Sequence, residues 1–229
     1  HAEAGIGHSV ASRGLGDVYK RQCISNTTNM TYTLSEDLHQ GEPFPGNLGY
    51  GYSKRMLDIQ TKILWEQYKC RFSTITPVTM YGPNDNFNLE DGHVIGSLIH
   101  RGILAKEQRE RLVVWGSGKA LRQFVYVGDI ANILVQMLAR YEGPDTIVVA
   151  PDAGITIEAL VKRIVDSIGY KGAVKFDQKK PEGVLVKCLS SDKFSRHFPE
   201  FKFTPIHEGL KDTIKWFQEN RREEVSISK

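Results

Sequence analysis

Helical and strand-like patterns alternate along the chain from about residue 50 to the C-terminal helix. Short apolar runs predict buried strands, namely FSTITPV (72–78), LVVW (112–115), QFVYV (123–127), TIVVA (146–150) and AVKF (173–176). Apolar residues at helical spacing predict helices over about 50–68, 93–105, 129–141, 156–170 and from 204 onward. Because a helix between two strands brings the second strand back parallel to the first, we expect an α/β fold with a largely parallel sheet.

Three of the predicted helices begin with residues that suit a helix N-terminus. Asp129 and Thr156 are expected to cap the helices that follow them. At the last helix, Thr204 is the expected cap and Pro205 the first helical residue, because proline lacks only an N–H that would be unpaired there.

The composition excludes several classes of protein. A chain of 229 residues with 40% hydrophobic and 25% charged residues suits one globular unit or a domain with a smaller lobe. The net charge of +3 is too small for a nucleic-acid-binding protein, and no apolar run approaches the roughly 20 residues of a membrane span. Because no charged and apolar leader opens the chain, we expect a cytoplasmic protein.

The three cysteines, Cys23, Cys70 and Cys188, are far apart and odd in number, which predicts reduced thiols and no zinc site.

The first 22 residues do not read as natural protein sequence. SRGLGDVYKRQ (12–22) resembles a translation of the transposase adapter DNA that is ligated to fragments in shotgun sequencing. We therefore treat residues 1–22 as artefactual or disordered, exclude them from fold prediction, and interpret Cys23 as the first residue of a truncated gene product.

Tyr50 and Lys54 lie four residues apart at the start of the first predicted helix. Residues at this spacing share one face of a helix, so both side chains would point into the same cleft. A nearby ammonium favours the phenolate, which would make Tyr50 an acid or base usable at neutral pH. Taken alone the pattern is weak, because a tyrosine and a lysine also occur at this spacing on ordinary helices.

The sequence around this pair carries a family resemblance. GYGYSKRMLDIQ, PVTMYGPNDNFNLEDGHVI, VVWGSGKALRQFVYVGDIA and KPEGVLVKCLSSDKF together resemble the GDP-L-fucose synthases, which are extended short-chain dehydrogenases/reductases. The resemblance implies an incomplete Rossmann-like parallel sheet with interleaved substrate-binding segments over residues 23–150. Residues 151–229 would then form mainly a smaller C-terminal α/β substrate domain.

The resemblance also implies a reaction and roles for four residues. GDP-4-keto-6-deoxy-D-mannose is epimerised at C3 and C5 and then reduced at C4 by NADPH. Cys23 and His93 match the family's epimerisation acid and base, Tyr50 its donor to the C4 oxygen, and Lys54 its contact with the nicotinamide ribose.

Further residues match binding positions of the family. Lys54, His93, Pro77, Val78, Thr79 and Met80 match contacts to the NADPH cofactor. The GDP-sugar substrate would be bound by Arg101, Trp115, Arg122, Glu182 and Lys187. The family further implies a homodimer formed through the helices that flank Tyr50.

The sequence departs from the family at the cofactor-binding turn and at one catalytic position. The glycine-rich turn that binds the dinucleotide phosphates is missing, and Arg21 stands where the family has its catalytic Ser or Thr. We therefore expect the chain as written to bind NADPH poorly.

Two alternatives to this function remain. Another nucleotide-sugar epimerase or dehydratase of the same superfamily would share Tyr50, Lys54 and the fold, but would not need both Cys23 and His93. A non-catalytic fragment would retain sugar-nucleotide binding alone. Four other histidines, His39, His100, His197 and His207, are interpreted as surface residues.

Overall fold

The computed structural model describes residues 15–17, 39, 42–43, 48–180 and 185–227. Within them it has six helices: α1 (Leu48–Tyr68), α2 (Val94–Gln108), α3 (Val127–Arg140), α4 (Ile157–Ile168), α5 (Asp192–His197) and α6 (Ile206–Ile227). Its strands are β1 (Leu15–Asp17), β2 (Ser73–Pro77), β3 (Thr79–Tyr81), β4 (Leu112–Trp115), β5 (Leu121–Arg122), β6 (Phe124–Tyr126), β7 (Thr146–Val149), β8 (Ile155–Thr156), β9 (Val174–Asp177) and β10 (Val186–Lys187).

The chain divides into two units, each built from three separate segments. The first unit comprises His1–Val78, Asp129–Asp152 and Cys188–Lys202, and the second comprises Thr79–Gly128, Ala153–Lys187 and Phe203–Lys229. The domain boundaries predicted after residues 22 and 150 stay predictions.

The first unit contains a parallel sheet in the order β1-β2-β7. Every residue of β2 and β7 is buried, as expected for parallel strands that are covered on both faces. Pro77 pairs with Val149 at the carboxyl end of these two strands. β1 belongs to the segment that we excluded from fold prediction, and it pairs in parallel with β2.

The buried face of α1 is polar. Asp58 is fully buried, and its carboxylate accepts hydrogen bonds from the Thr146 hydroxyl of β7 and from Nε2 of His39 at 2.5 Å. The Lys62 ammonium lies 3.3 Å from the same carboxylate. A buried carboxylate is tolerated when it is paired and hydrogen-bonded. The contact with Thr146 attaches α1 to β7. His39 is exposed, as the sequence predicts, and its ring also contacts Asp58.

The apolar residues of α1 form a stripe on its exposed side. Tyr52, Met56, Ile59 and Ile63 follow one another at helical spacing and are between 41% and 54% exposed. On α3, Val135 and Leu138 are also exposed. The apolar spacing correctly predicts α1 as a helix, but it does not mark the side that packs on the sheet.

The second unit holds three small sheets around an apolar core. β3 pairs with β6 and β4 pairs with β9, both in parallel, while β5 lies between the parallel strand β10 and the antiparallel strand β8. The core is formed by buried side chains of α2, α4 and α6, including Ile95, Leu98, Ile99, Leu160, Val161, Ile164, Leu210, Ile214 and Phe217. Each such side chain stabilises the fold by roughly 1.5–3 kcal/mol through its removal from water.

His100 is half-buried beside this core, whereas the sequence predicts a surface residue. Its ring lies 5.0 Å from that of Phe217, and its Nδ1 donates to the carbonyl oxygen of Phe87 at 2.9 Å. Burial lowers the pKa of the imidazole, and the nearby Arg221 and Arg101 lower it further, while the carbonyl contact opposes this change. The side chain therefore serves packing in its neutral form.

The predicted helix starts agree with the structure to within about two residues. Thr156 caps α4 as predicted, because its hydroxyl oxygen accepts from the N–H of Ala159 at 3.2 Å. The prediction that Asp129 caps its helix is wrong, since α3 already begins at Val127 and Asp129 lies in its first turn. α6 begins at Ile206, one residue after Pro205. The predicted α/β fold with largely parallel strand pairs is confirmed.

None of the helices in the described part of the chain combines the length and the apolar character needed to cross a membrane. In the same residues, no group of three or more His, Cys, Asp or Glu side chains is arranged to hold a metal ion.

Candidate functional site

Tyr50 and Lys54 lie in the first two turns of α1, in the first unit. The Lys54 ammonium is 5.4 Å from the centre of the Tyr50 ring, so the predicted pair is formed. Gly51 allows this helix start, because a Cβ at its position would come within 2.5 Å of the buried Pro43 side chain. The positive end of the helix dipole lies in this first turn and favours negative charge there.

The stretch predicted to contact the cofactor leaves the carboxyl end of β2. Pro77 ends that strand, and the Val78 N–H donates to the carbonyl oxygen of Val149 at 3.0 Å. Thr79 and Met80 begin β3 of the second unit, where they pair with β6. In parallel α/β sheets, ligands bind beyond the carboxyl ends of the strands, which is the position of Pro77 and Val78 in the first unit.

His93 occupies the residue before α2, in the second unit. Its side chain makes no capping bond to the helix, although its extended backbone (φ −69°, ψ 155°) is that of an N-cap. Instead, Nδ1 lies 2.5 Å from Oδ1 of Asp85, whose side chain is only 7% exposed. The imidazole itself is 38% exposed and can reach a ligand.

The loop before His93 is held by its own amide side chains. The Asn86 Oδ1 accepts from the Asn88 N–H at 2.9 Å, and the Asn88 Oδ1 accepts from the Glu90 N–H at 2.7 Å. Gly92 permits the close turn, because a Cβ there would lie 2.1 Å from the Asn88 carbonyl oxygen. The His93 N–H then donates to the Asn86 carbonyl at 3.1 Å, so the loop fixes the position of His93.

A cavity of about 250 Å³ in the second unit brings three predicted substrate residues together. It is lined by Leu89, Glu90, Gly92, Val94, Ser97, Leu98, Arg101, Val114, Trp115, Ala120, Arg122 and Ile157. The lining combines an apolar wall with two guanidiniums and one exposed carboxylate, that of Glu90. Pockets for whole small molecules typically measure roughly 300–1,000 Å³, so this cavity suits part of a larger ligand.

Each guanidinium of the cavity is oriented by backbone carbonyls. Arg101 donates from Nη2 to Leu89 O at 2.5 Å, and Arg122 donates from Nη1 to Leu121 O at 2.8 Å. A guanidinium carries five N–H donors in a rigid plane, so it can contact more than one acceptor at a time. Carboxylates and phosphates match this donor geometry best.

The Trp115 indole is 47% exposed and lies against two cations. The Arg101 guanidinium is 5.0 Å and the Lys180 ammonium 5.4 Å from the ring. Such cation–π contacts orient the long cationic side chains. The indole and the cations around it form a surface suited to a ring that carries phosphate.

Lys187 lies on β10, directly beside Arg122 of β5 in the parallel register. Register partners in a sheet project to the same face, so these two predicted substrate residues are neighbours. Cys23 and Glu182 lie outside the described residues, and their roles stay predictions. The same holds for a shared cleft of Tyr50 and His93, which belong to different units.

Sequence reasoning missed two residues of these clusters, Asp85 and Lys180. Asp85 is part of the YGPNDNF motif, but nothing in the linear sequence marks its contact with His93, eight residues later. Lys180 reads as one of two adjacent surface lysines, and only the pairing of β9 with β4 brings its segment to Trp115.

Comparison with known proteins finds sequences named GDP-L-fucose synthase among those that this chain resembles. It is 38% identical over 193 residues to the GDP-L-fucose synthase of Dictyostelium discoideum, an alignment that covers 83% of this chain and 60% of that protein. It is 31% identical over 200 residues to a probable GDP-L-fucose synthase of Drosophila melanogaster, with 83% and 62% covered. The chain thus spans about 60% of the length of the curated relatives that it matches.

A solved structure and a family model match as well. The crystal structure of a GDP-L-fucose synthetase from Naegleria fowleri bound to NADP superposes with a TM-score of 0.85 at 33% identity, covering 91% of this chain and 64% of that one. This match confirms the predicted Rossmann-like fold class. The sequence model of the NAD dependent epimerase/dehydratase family matches residues 25–150, more than half of the chain. The protein therefore belongs to the NAD dependent epimerase/dehydratase family.

Proposed function

We propose that this protein acts in GDP-L-fucose synthesis, by epimerising GDP-4-keto-6-deoxy-D-mannose at C3 and C5 and reducing it at C4. The observation that carries the proposal is the cavity where Arg101, Trp115 and Arg122 meet. Two guanidiniums suit a pyrophosphate and an indole suits a sugar or base ring. The relatives named GDP-L-fucose synthase support the same substrate.

Three side chains of this protein have complementary roles in the proposed reaction. Removal of a proton next to a ketone creates an enolate, which the Tyr50 hydroxyl stabilises by donating a hydrogen bond to the C4 oxygen. Cys23 and His93 remove and return the protons at C3 and C5, since a thiol and an imidazole both titrate within reach of pH 7. Tyr50 then gives its proton to the C4 alkoxide.

The residues present fit a nicotinamide cofactor on the side of Tyr50. The Lys54 ammonium has no carboxylate partner among the described residues, so it can donate to ribose hydroxyls. Pro77 and Val78 lie at a strand end, where such cofactors bind. When bound, NADPH supplies the hydride for the reduction at C4. The solved relative with bound NADP supports this assignment.

The proposed function predicts isotope exchange at two carbons of the substrate. The chain is incubated with GDP-4-keto-6-deoxy-D-mannose in D₂O without NADPH, and deuterium at C3 and C5 is followed by NMR. We expect incorporation at both carbons, because proton removal and return need no hydride. An epimerase that inverts a single carbon, or a dehydratase, would not label both positions. Binding of GDP without any labelling would favour a chain that binds sugar nucleotides but performs no chemistry.

The proposal includes a homodimer in the cytoplasm, formed through the exposed stripe of α1. Tyr52, Met56, Ile59 and Ile63 present an apolar surface that a second copy of the same helix can cover. We expect sedimentation equilibrium to give twice the chain mass, and Met56→Glu to give the monomer mass. A matched exposed change on another helix, Gln218→Glu of α6, leaves the dimer intact if the stripe is the interface. A monomeric wild-type chain contradicts this part of the proposal.

A further inference from the structure

We propose that Asp85 is a positioning residue that holds the His93 imidazole in the tautomer protonated at Nδ1. Nε2 is then the atom that exchanges a proton with the ketosugar. The second statement rests on the proposed function, whereas the first is a property of the unliganded chain. The two can therefore be tested separately.

The contact between the two side chains is short and well defined. Nδ1 of His93 lies 2.5 Å from Oδ1 of Asp85. The carboxylate is nearly buried at 7% exposure, whereas the imidazole is 38% exposed. Oδ1 also accepts from the backbone N–H of Asn86 at 2.8 Å. This second contact helps to hold the carboxylate oxygen that faces the ring.

The chemistry of the pair decides which nitrogen carries the proton. An ionised carboxylate only accepts hydrogen bonds, so the nitrogen that faces it must be the N–H. In the described part of the chain, Nε2 of His93 has no hydrogen-bond partner. Nε2 therefore carries a lone pair in the neutral ring and is an N–H donor in the charged ring. It can take up a proton and return it.

The contact between Asp85 and His93 is not the one that closes the loop. The helix start receives no side-chain cap from His93, and the loop before it is closed by the side chains of Asn86 and Asn88. The second carboxylate oxygen of Asp85, Oδ2, is buried without a hydrogen-bond partner in the described residues. An unsatisfied buried oxygen is costly, and a catalytic role is one of the reasons for which native proteins keep such groups. The Asp–His pair of serine proteases shows how a buried carboxylate fixes an imidazole tautomer.

The test is an NMR measurement on the chain labelled with ¹⁵N-histidine and without ligand. Imidazole nitrogens with and without a proton have well-separated ¹⁵N shifts. We expect Nδ1 of His93 to stay in its protonated range at every pH, while Nε2 alone moves between the two ranges. A neutral ring with the proton on Nε2 overturns the proposal, and this result needs no variant.

Variants add a second test of the same statement. In Asp85→Ala no acceptor faces Nδ1, so both nitrogens should show averaged shifts. The matched control is Asp91→Ala, which removes an exposed carboxylate from the same loop and should keep the wild-type spectrum. An unchanged His93 spectrum in folded Asp85→Ala contradicts the proposal.

Isotope exchange connects the tautomer to the reaction. We expect Asp85→Ala to slow deuterium incorporation at both C3 and C5 by about 10²-fold, the lower range of a general acid–base contribution, because His93 takes part in proton transfer at each carbon. The affinity for GDP should not change. Unchanged incorporation in the folded variant overturns the positioning role. If the wild-type chain labels neither carbon, the proposed function fails, while the NMR result still decides the tautomer.

Discussion

Tyr50→Phe is expected to lower deuterium incorporation at both C3 and C5 by about 10²–10³-fold, the usual cost of one lost oxyanion donor. Both carbons are affected because each proton removal places negative charge on the same C4 oxygen. Tyr50 lies in the first turn of α1, where the helix dipole also favours that charge. The measurement is the rate of label uptake under saturating substrate, read by NMR.

The control for this substitution is Tyr68→Phe. Tyr68 is the last residue of the same helix and is 69% exposed, so the loss of its hydroxyl should leave the exchange rate unchanged. GDP affinity should be equal in both variants and the wild type, since Tyr50 acts on the sugar ring. Normal exchange in Tyr50→Phe would remove Tyr50 from the mechanism, although the family assignment would stand.

The helices of this fold follow from the sequence because their apolar residues recur at a period near 3.6. α4 shows this best, since the stripe of Leu160, Val161 and Ile164 is the one that packs in the core. α1 shows the limit of such reasoning. Periodicity reveals that one side is apolar, but whether the sheet or another chain covers that side depends on contacts far along the sequence. Asp58, which attaches α1 to the sheet, meets Thr146 across 88 positions.

The shortest strands and the division of the chain into two units were harder to predict than the helices. β5, β8 and β10 have only two residues each, too few for any period to appear. Their existence depends on tertiary pairing, as in the neighbouring positions of Arg122 and Lys187. The division of the chain into two units, each made of three segments, is likewise set by contacts and not by composition.

The candidate site also has residues that the sequence predicts and residues that only the structure reveals. Residue types with evident chemistry, such as Arg101, Trp115 and Arg122, were identified from motifs, and the structure places all three around one cavity. The residues that contact His93 and Trp115 were not identified from the sequence. An Asp can be recognised as the partner of a His, or a Lys as that of a Trp, only when the folded structure brings them together. Asp85 and Lys180 became candidates through distances of 2.5 Å and 5.4 Å to their partners.

Arg122→Gln is expected to weaken GDP binding by about 10²-fold, or close to 3 kcal/mol, the usual cost of removing one member of a hydrogen-bonded charge pair. The guanidinium is already oriented by the carbonyls of Leu121 and Leu185, so little further ordering opposes binding. Arg122→Lys should recover only part of the loss, because an ammonium cannot bind a phosphate in the bidentate manner. Calorimetric titration of GDP into the chain measures all three affinities.

Arg163→Gln is the matched control, because it removes an exposed guanidinium from α4, away from the cavity lining. The two glutamine variants carry the same net charge, so any difference between their affinities reports the position of the guanidinium. The carbonyl contacts of Arg122 can also contribute to the stability of the fold. Thermal unfolding of both variants measures this contribution. If Arg122→Gln bound GDP as tightly as Arg163→Gln, the cavity would not be the pyrophosphate site, and the proposed substrate would lose its main structural support.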